Sequence, residues 1–154
     1  MKKYTEPYIE QWNRLIRLRE GLDKFSVATE ANFEDAIDAF TSFVIQCYSL
    51  KDWLINSGYD KNVIEKSIKD DRFLALCRDL ANTQKHQRID LYTPVNSFVG
   101  NDFGVSTPIS KSYDPIAKHE FFGVRVWEFG KPIPILEMAD YCLKAWSRVI
   151  SSRT

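Results

Sequence analysis

The sequence predicts a mainly α-helical protein, a four-helix up-down bundle with a small antiparallel β insertion before the last helix. Three observations carry that expectation. From Phe33 to Leu54 the apolar residues recur at steps of four and three; from Pro134 to Ser152 the same period returns; between Ile89 and Lys131 it vanishes.

The first helix is expected from about Thr5 to Phe25. Thr5 can cap it, Pro7 is tolerated in the first turn, and Ile9, Trp12, Ile16 and Leu22 mark an apolar stripe before Gly21 and Ser26 weaken the pattern. Asn32 followed by Asp35 reads as an N-cap with a carboxylate in the first turn of the next helix.

That second helix has the clearest period in the chain, with Phe33, Ile37, Phe40, Val44, Cys47 and Leu54 on one line and Ala36, Phe43 and Leu50 beside it. It ends at Asn56-Ser57-Gly58. Lys51 falls in the seam, so that turn either leaves the core or faces something other than apolar side chains.

A short amphipathic turn, Asn62 to Lys69, leads to a third main helix opening near Asp70-Asp71 and reaching about His86. The last helix starts near Pro134, where a missing N–H does no harm, and shows Leu136, Ala139, Leu143, Trp146 and Ile150. Between them, Thr, Ser, Asn, Pro and Gly clusters surround short strand-like runs. The best is FFGVRVWEF at 121–129, in which Phe122, Val124 and Val126 alternate with Arg125 and Trp127; FGVSTPIS at 103–110 is weaker. The expectation is a hairpin or three-stranded patch, an insertion over about 89–131 within a single domain of residues 1–154.

A chain of 154 residues is long enough to bury one good core. Its 21 basic and 21 acidic side chains cancel, which excludes a whole-molecule field for drawing in nucleic acid. The charge is uneven, however. Residues 26–60 carry one Lys and six acids, whereas 61–88 carry seven basic and four acidic side chains, so a polyanion would prefer the second stretch. No window approaches the ~20 apolar residues of a membrane span, and MKKYTEPYIEQW has no apolar run behind its lysines. A cytoplasmic protein that does not engage membranes is expected.

Cys47, Cys77 and Cys142 lie far apart, without a CxxC pair or matching histidine spacing. They read as small apolar core residues, and no metal or other cofactor is expected. His119, beside a strand-like run, has no second ligand nearby and reads as a surface residue. Trp53, Trp127 and Trp146 read as core, although Trp127 and Phe129 could stack a base if exposed. No phosphate-cradling Gly loop, Gly-x-Ser-x-Gly elbow or HExxH motif occurs, which sets aside P-loop hydrolysis, esterase chemistry and zinc proteolysis.

The stretch CRDLANTQKHQRI, residues 77–89, is the functional candidate. On a helical wheel Phe73, Leu76, Cys77, Leu80 and Ala81 form a core face, and Arg78, Asn82 and His86 form a polar stripe opposite, beside Ala75. Spacing alone favours a solvated face. Arg78-Asp79-Leu80-Ala81-Asn82 with Lys85-His86, set in this layout, resembles the HEPN helical superfamily, whose third helix carries an Arg followed after four to six residues by a His. SLKDWL at 49–54, CRDLANTQKH at 77–86 and a terminal helix with Trp146 are similar to a group of bacterial and phage-encoded HEPN-like proteins of undefined function. One departure stands out: seven residues separate Arg78 from His86, while Asn82 precedes His86 by four.

The resemblance implies a HEPN-like module that binds RNA, a nucleotide or a protein partner through the Arg78-Asn82-His86 face. The alternative it implies is metal-independent RNA cleavage by a homodimer, as a toxin or phage-defence effector. In that chemistry His86 takes the 2′-OH proton, Arg78 stabilises charge on the phosphate and Asn82 orients either of them. Lys85 and Arg88 hold neighbouring phosphates, and Asp52 on the second helix is a weaker polar partner for the stripe. A two-fold dimer would supply the second His. A third reading keeps only assembly with itself or another polypeptide.

Overall fold

The computed structural model describes residues 6–26, 33–86, 97–100, 110–111, 124–128 and 131–152, with side chains for 6–26, 34–82 and 133–152. It is mainly helical: α1 spans Pro7–Gly21, α2 Phe33–Asn56, α3 Lys61–Asp70, α4 Arg72–His86 and α5 Ile135–Ser151, with a short 3-10 turn at Asp23–Phe25. Among the described residues four short strands lie between α4 and α5: β1 Ser97–Gly100, β2 Ser110–Lys111, β3 Val124–Glu128 and β4 Lys131–Pro134.

Thr5 and Asn32, the expected caps, lie outside the described residues. The N-cap of α1 is Glu6, with Pro7 in the first helical position, where its fixed φ suits a helix start. The α-helix stops at Gly21 rather than Phe25, and the 3-10 turn covers the remainder. Only Leu22 of the expected stripe is fully buried. Leu15 and Leu22 are fully enclosed together with Gln11, while Ile9, Trp12 and Ile16 are only half-buried. A buried amide is tolerated because it is bonded: Gln11 Nε2 donates to the Gln46 backbone O at 2.8 Å and to Gln46 Oε1 at 3.0 Å, and Gln11 Oε1 accepts from Arg14 Nη1 at 2.6 Å.

α2 fulfils its period. Ala36, Phe40, Phe43, Val44, Cys47, Leu50 and Leu54 are all buried. Gly58 terminates the turn after α2 at φ 95°, a left-handed conformation that glycine adopts without a Cβ clash. Lys51 is half-buried in the seam, where its Nζ donates to Tyr48 Oη at 3.0 Å and lies 4.4 Å from the Tyr48 ring centre. Burial pulls the Lys51 pKa down, but the Tyr48 bond together with the charges of Tyr48, Asp52 and Glu65 outweighs it and the net direction is up.

The stretch after α2 is a full ten-residue helix rather than a turn. Asp60 caps α3 by accepting from the Val63 N–H at 3.0 Å, and Ile64 and Ile68 are buried. Asp71 then starts α4, its Oδ1 accepting from the N–H groups of Phe73 and Leu74 at 2.9 and 3.0 Å.

Bonds between helices give their relative directions. Tyr8 N donates to Ser57 Oγ and Gln11 reaches Gln46, so α1 and α2 run antiparallel. Cys142 Sγ meets the Phe73 O while Arg148 meets Asp71, so α4 and α5 run antiparallel as well. Trp146 Nε1 donates to the Cys47 O and Tyr59 Oη to the Ile150 O, which sets α5 parallel to α2. α5 is rolled from its expected orientation: Ile135, Met138, Ala139, Cys142, Ala145 and Trp146 are buried, and Leu136, Leu143 and Ile150 flank them.

β3 is the centre of the insertion. It pairs antiparallel with β1 (Ser97 opposite Glu128, Gly100 opposite Arg125), with β2 (Lys111 opposite Val124) and with β4 (Glu128 opposite Lys131, Arg125 opposite Pro134). The 121–129 run therefore contains the central strand; of the 103–110 run only Ser110 is among the described residues, and it lies in β2. β4 crosses the expected boundary at 131 and delivers the chain directly into α5, with Pro134 as N-cap. Its two prolines suit an edge strand, which has spare ladder positions on one side. The apolar core draws on every α-helix and on Ile133 of β4.

Candidate functional site

α4 is enclosed over more of its surface than an amphipathic helix usually is. Leu74, Leu76, Cys77, Asp79, Leu80 and Ala81 are all buried, and Phe73, Ala75, Arg78 and Asn82 are half-buried. Phe73, expected at the centre of the core face, instead sits at its margin, stacked on Tyr141 at 4.3 Å between ring centres. The polar stripe is thus a narrow strip between packed flanks, and Arg78 keeps 35% of its side-chain surface exposed within it.

Asp79 orients Arg78. Its Oδ1 accepts from Arg78 Nε at 3.1 Å, and the carboxylate is almost entirely buried, with 9% of its side chain exposed. Burial pushes the Asp79 pKa up, and the guanidinium pulls it part of the way back. The bond engages Nε and leaves the two terminal amino groups of Arg78 outside it, a geometry suited to an acceptor that presents two oxygens, such as a phosphate. Periodicity gave no signal for Asp79. The adjacency of Arg78 and Asp79 in the sequence was the only available cue.

The backbone of α4 is helical through His86, so Arg78, Asn82 and His86 follow one another at four-residue steps along one face. The side chains of Lys85 and His86 lie outside the described residues, as do Arg88, His119, Phe122 and Phe129 entirely and the side chain of Trp127. Asp52 is exposed on α2. Cys77 Sγ lies 3.4 Å from the Val44 O, which sets the two helices level near their cysteines. Because α2 and α4 run antiparallel, Asp52 and Asn82 depart from that level in opposite directions, each by about 7–8 Å at 1.5 Å per residue.

Sequence reasoning missed a second constellation. Cys47, Cys77 and Cys142, one each from α2, α4 and α5, are buried as expected of core residues, but their Sγ atoms lie within 4.8 Å of one another. Cys77 and Cys142 act as thiol donors, Cys77 to the Val44 O and Cys142 to the Phe73 O at 3.6 Å. Bonds within the trio and burial both hold the Cys77 pKa well up; for Cys142 the bond to Cys47 is the main cause. Burial pushes Cys47 up too, but its neighbours Cys142, Cys77 and Trp146 outweigh it and its net direction is down. Sequence separations of 30 and 65 residues conceal such a group until the helices are packed.

A cleft of about 470 Å³ lies elsewhere, lined by Lys24, Phe25, Asp35, Asp38 and Ala39, at the junction of the 3-10 turn and the start of α2. Among the described residues no helix is long and apolar enough to cross a membrane. No model of a known family, no curated protein and no solved structure matches the chain.

Proposed function

We propose that the chain is a HEPN-like module that binds RNA or a nucleotide through the Arg78-Asn82-His86 face of α4. In this reading the four long helices α1, α2, α4 and α5 form an up-down bundle, to which the antiparallel contacts of α1 with α2 and of α4 with α5 lend support. The observation that carries the proposal is the Arg78–Asp79 pair, a half-exposed guanidinium held at Nε by a buried carboxylate. An anchored fork loses less freedom on binding a phosphate than a loose one does. Lys85 and Arg88 extend the same basic stretch toward neighbouring phosphates. The protein acts in the cytoplasm, in keeping with three unoxidised cysteines packed side by side.

The test uses the full chain with fluorescein-labelled single-stranded RNA, read by anisotropy at 50 and 200 mM salt in EDTA. Binding that weakens with salt, as counterion release requires, and that Arg78→Gln and His86→Ala each weaken about tenfold, supports the module. Cleavage of the RNA in EDTA that His86→Ala abolishes moves the assignment to the homodimeric ribonuclease. Absence of both binding and cleavage refutes the RNA reading and leaves the face to a protein partner.

A further inference from the structure

All three cysteines of the chain meet in the core, and they come from three different helices. Their residues are 0%, 1% and 0% exposed for Cys47, Cys77 and Cys142. Among the described residues no histidine or carboxylate joins the group within the same 4.8 Å limit. Among the described residues the site therefore offers three sulfurs and no histidine or carboxylate as a fourth donor.

The spacing suits one ion. Around a pyramidal three-coordinate centre with bonds to sulfur of about 2.3 Å and angles of about 100°, neighbouring sulfurs stand about 3.5 Å apart, so side-chain adjustments of under about 1 Å close the present group. The surroundings decide which ion. Thiolates select soft, thiophilic elements, and a buried net charge is costly unless paired. Three thiolates leave a charge of −2 around a univalent ion and −1 around a divalent one; a trivalent centre cancels them. Zinc also asks for a fourth ligand that the group does not supply.

We propose that Cys47, Cys77 and Cys142 form a three-thiolate site for a trivalent thiophilic metalloid, arsenic(III) or antimony(III). The reaction is a ligand exchange with the neutral hydroxide. Three element–oxygen bonds break, three element–sulfur bonds form, and each thiol proton leaves with a hydroxide as water, three in all. No atom changes oxidation state. Reactant and product are both neutral, so the core never holds a bare charge at either end of the step. Because packing closes the trio off from solvent, entry follows local opening of the helices, and uptake is slower than reaction at a surface thiol.

The experiment takes the reduced full chain under anaerobic conditions and titrates it with sodium arsenite and, in a separate arm, with antimonyl tartrate. Native mass spectrometry is expected to show one metalloid per chain with loss of three protons, and X-ray absorption three sulfurs in its first shell. The melting temperature rises on binding, as linkage to the folded state requires. Cys77→Ala and Cys142→Ala each weaken binding at least tenfold. Two sulfurs with one oxygen, unchanged affinity in both variants, or displacement of arsenic by an equal concentration of zinc overturns the proposal. Should a variant fail to fold, the sulfur count on the wild-type chain decides alone. An Arg78→Gln chain that loses RNA yet takes up the metalloid normally separates this site from the α4 face.

Discussion

Arg78 and Asp79 are neighbours in sequence and partners in space, Nε to Oδ1 at 3.1 Å, with the acid buried and the base half-exposed. An acid whose pKa is raised by burial holds its proton more tightly folded than unfolded. The native state therefore binds more protons over the range from 3.8 up to the raised value, and stability falls as pH rises through that range. Asp79→Asn retains an oxygen acceptor but removes this titration. The variant is expected to gain on the wild type as pH rises from 4 to 7, ending within about 1 kcal/mol of it. Urea midpoints at the two pH values check this, and a variant-to-wild-type difference that does not change with pH refutes it.

Arg19 of α1 grips Asp140 of α5 with two bonds, Nε to Oδ1 at 2.7 Å and Nη2 to Oδ2 at 3.1 Å, and also meets Asp23. The Asp140 bond is the main cause that holds the Arg19 pKa above its ordinary value. With 18% and 49% of the two side chains exposed, a double-mutant cycle of Arg19→Ala and Asp140→Ala should give a coupling of about 1 kcal/mol, the upper end for ion pairs open to solvent. Arg19→Lys should recover less than half of it, because lysine has no fork. Zero coupling would show that the pair contributes geometry without stability.

Gln11 is fully buried, yet all the bonds it makes run to α2 or back to Arg14. Gln11→Ala opens a cavity and strands the Arg14 contact, for an expected loss of about 2–3 kcal/mol in chemical denaturation. Gln11→Met fills the volume and should cost about 1 kcal/mol less than the alanine. Equal costs for the two variants would mean that packing is irrelevant there.

Among the described residues Trp146 is the largest fully buried side chain, and its Nε1 donates to the Cys47 O at 3.1 Å. Trp146→Phe gives up the hydrogen bond and some volume, about 1–2 kcal/mol, whereas Trp146→Ala should cost about 3–5 kcal/mol. Thermal melts of both variants test the order; a phenylalanine variant as unstable as the alanine one contradicts it.

The sequence by itself determined where the four long helices form, though it read the helix α3 as a turn. The period of α2, the Asp71 cap of α4 and the proline before α5 act within a few residues, and local interactions of that kind survive in a linear reading. It also indicated the stripe of α4, because helical register alone places Arg78, Asn82 and His86 on one face. Tertiary packing decided the rest. It turned α1 so that a polar Gln11 fills the core and rolled α5 onto its small residues; it gave β3 a partner in the proline-bearing β4. It paired Arg78 with a buried acid, and it drew three cysteines scattered over the chain to within 4.8 Å of one another. Those outcomes depend on which helix lies against which and at what depth. That is settled by the sum of many weak apolar contacts between distant segments, and no local pattern encodes it.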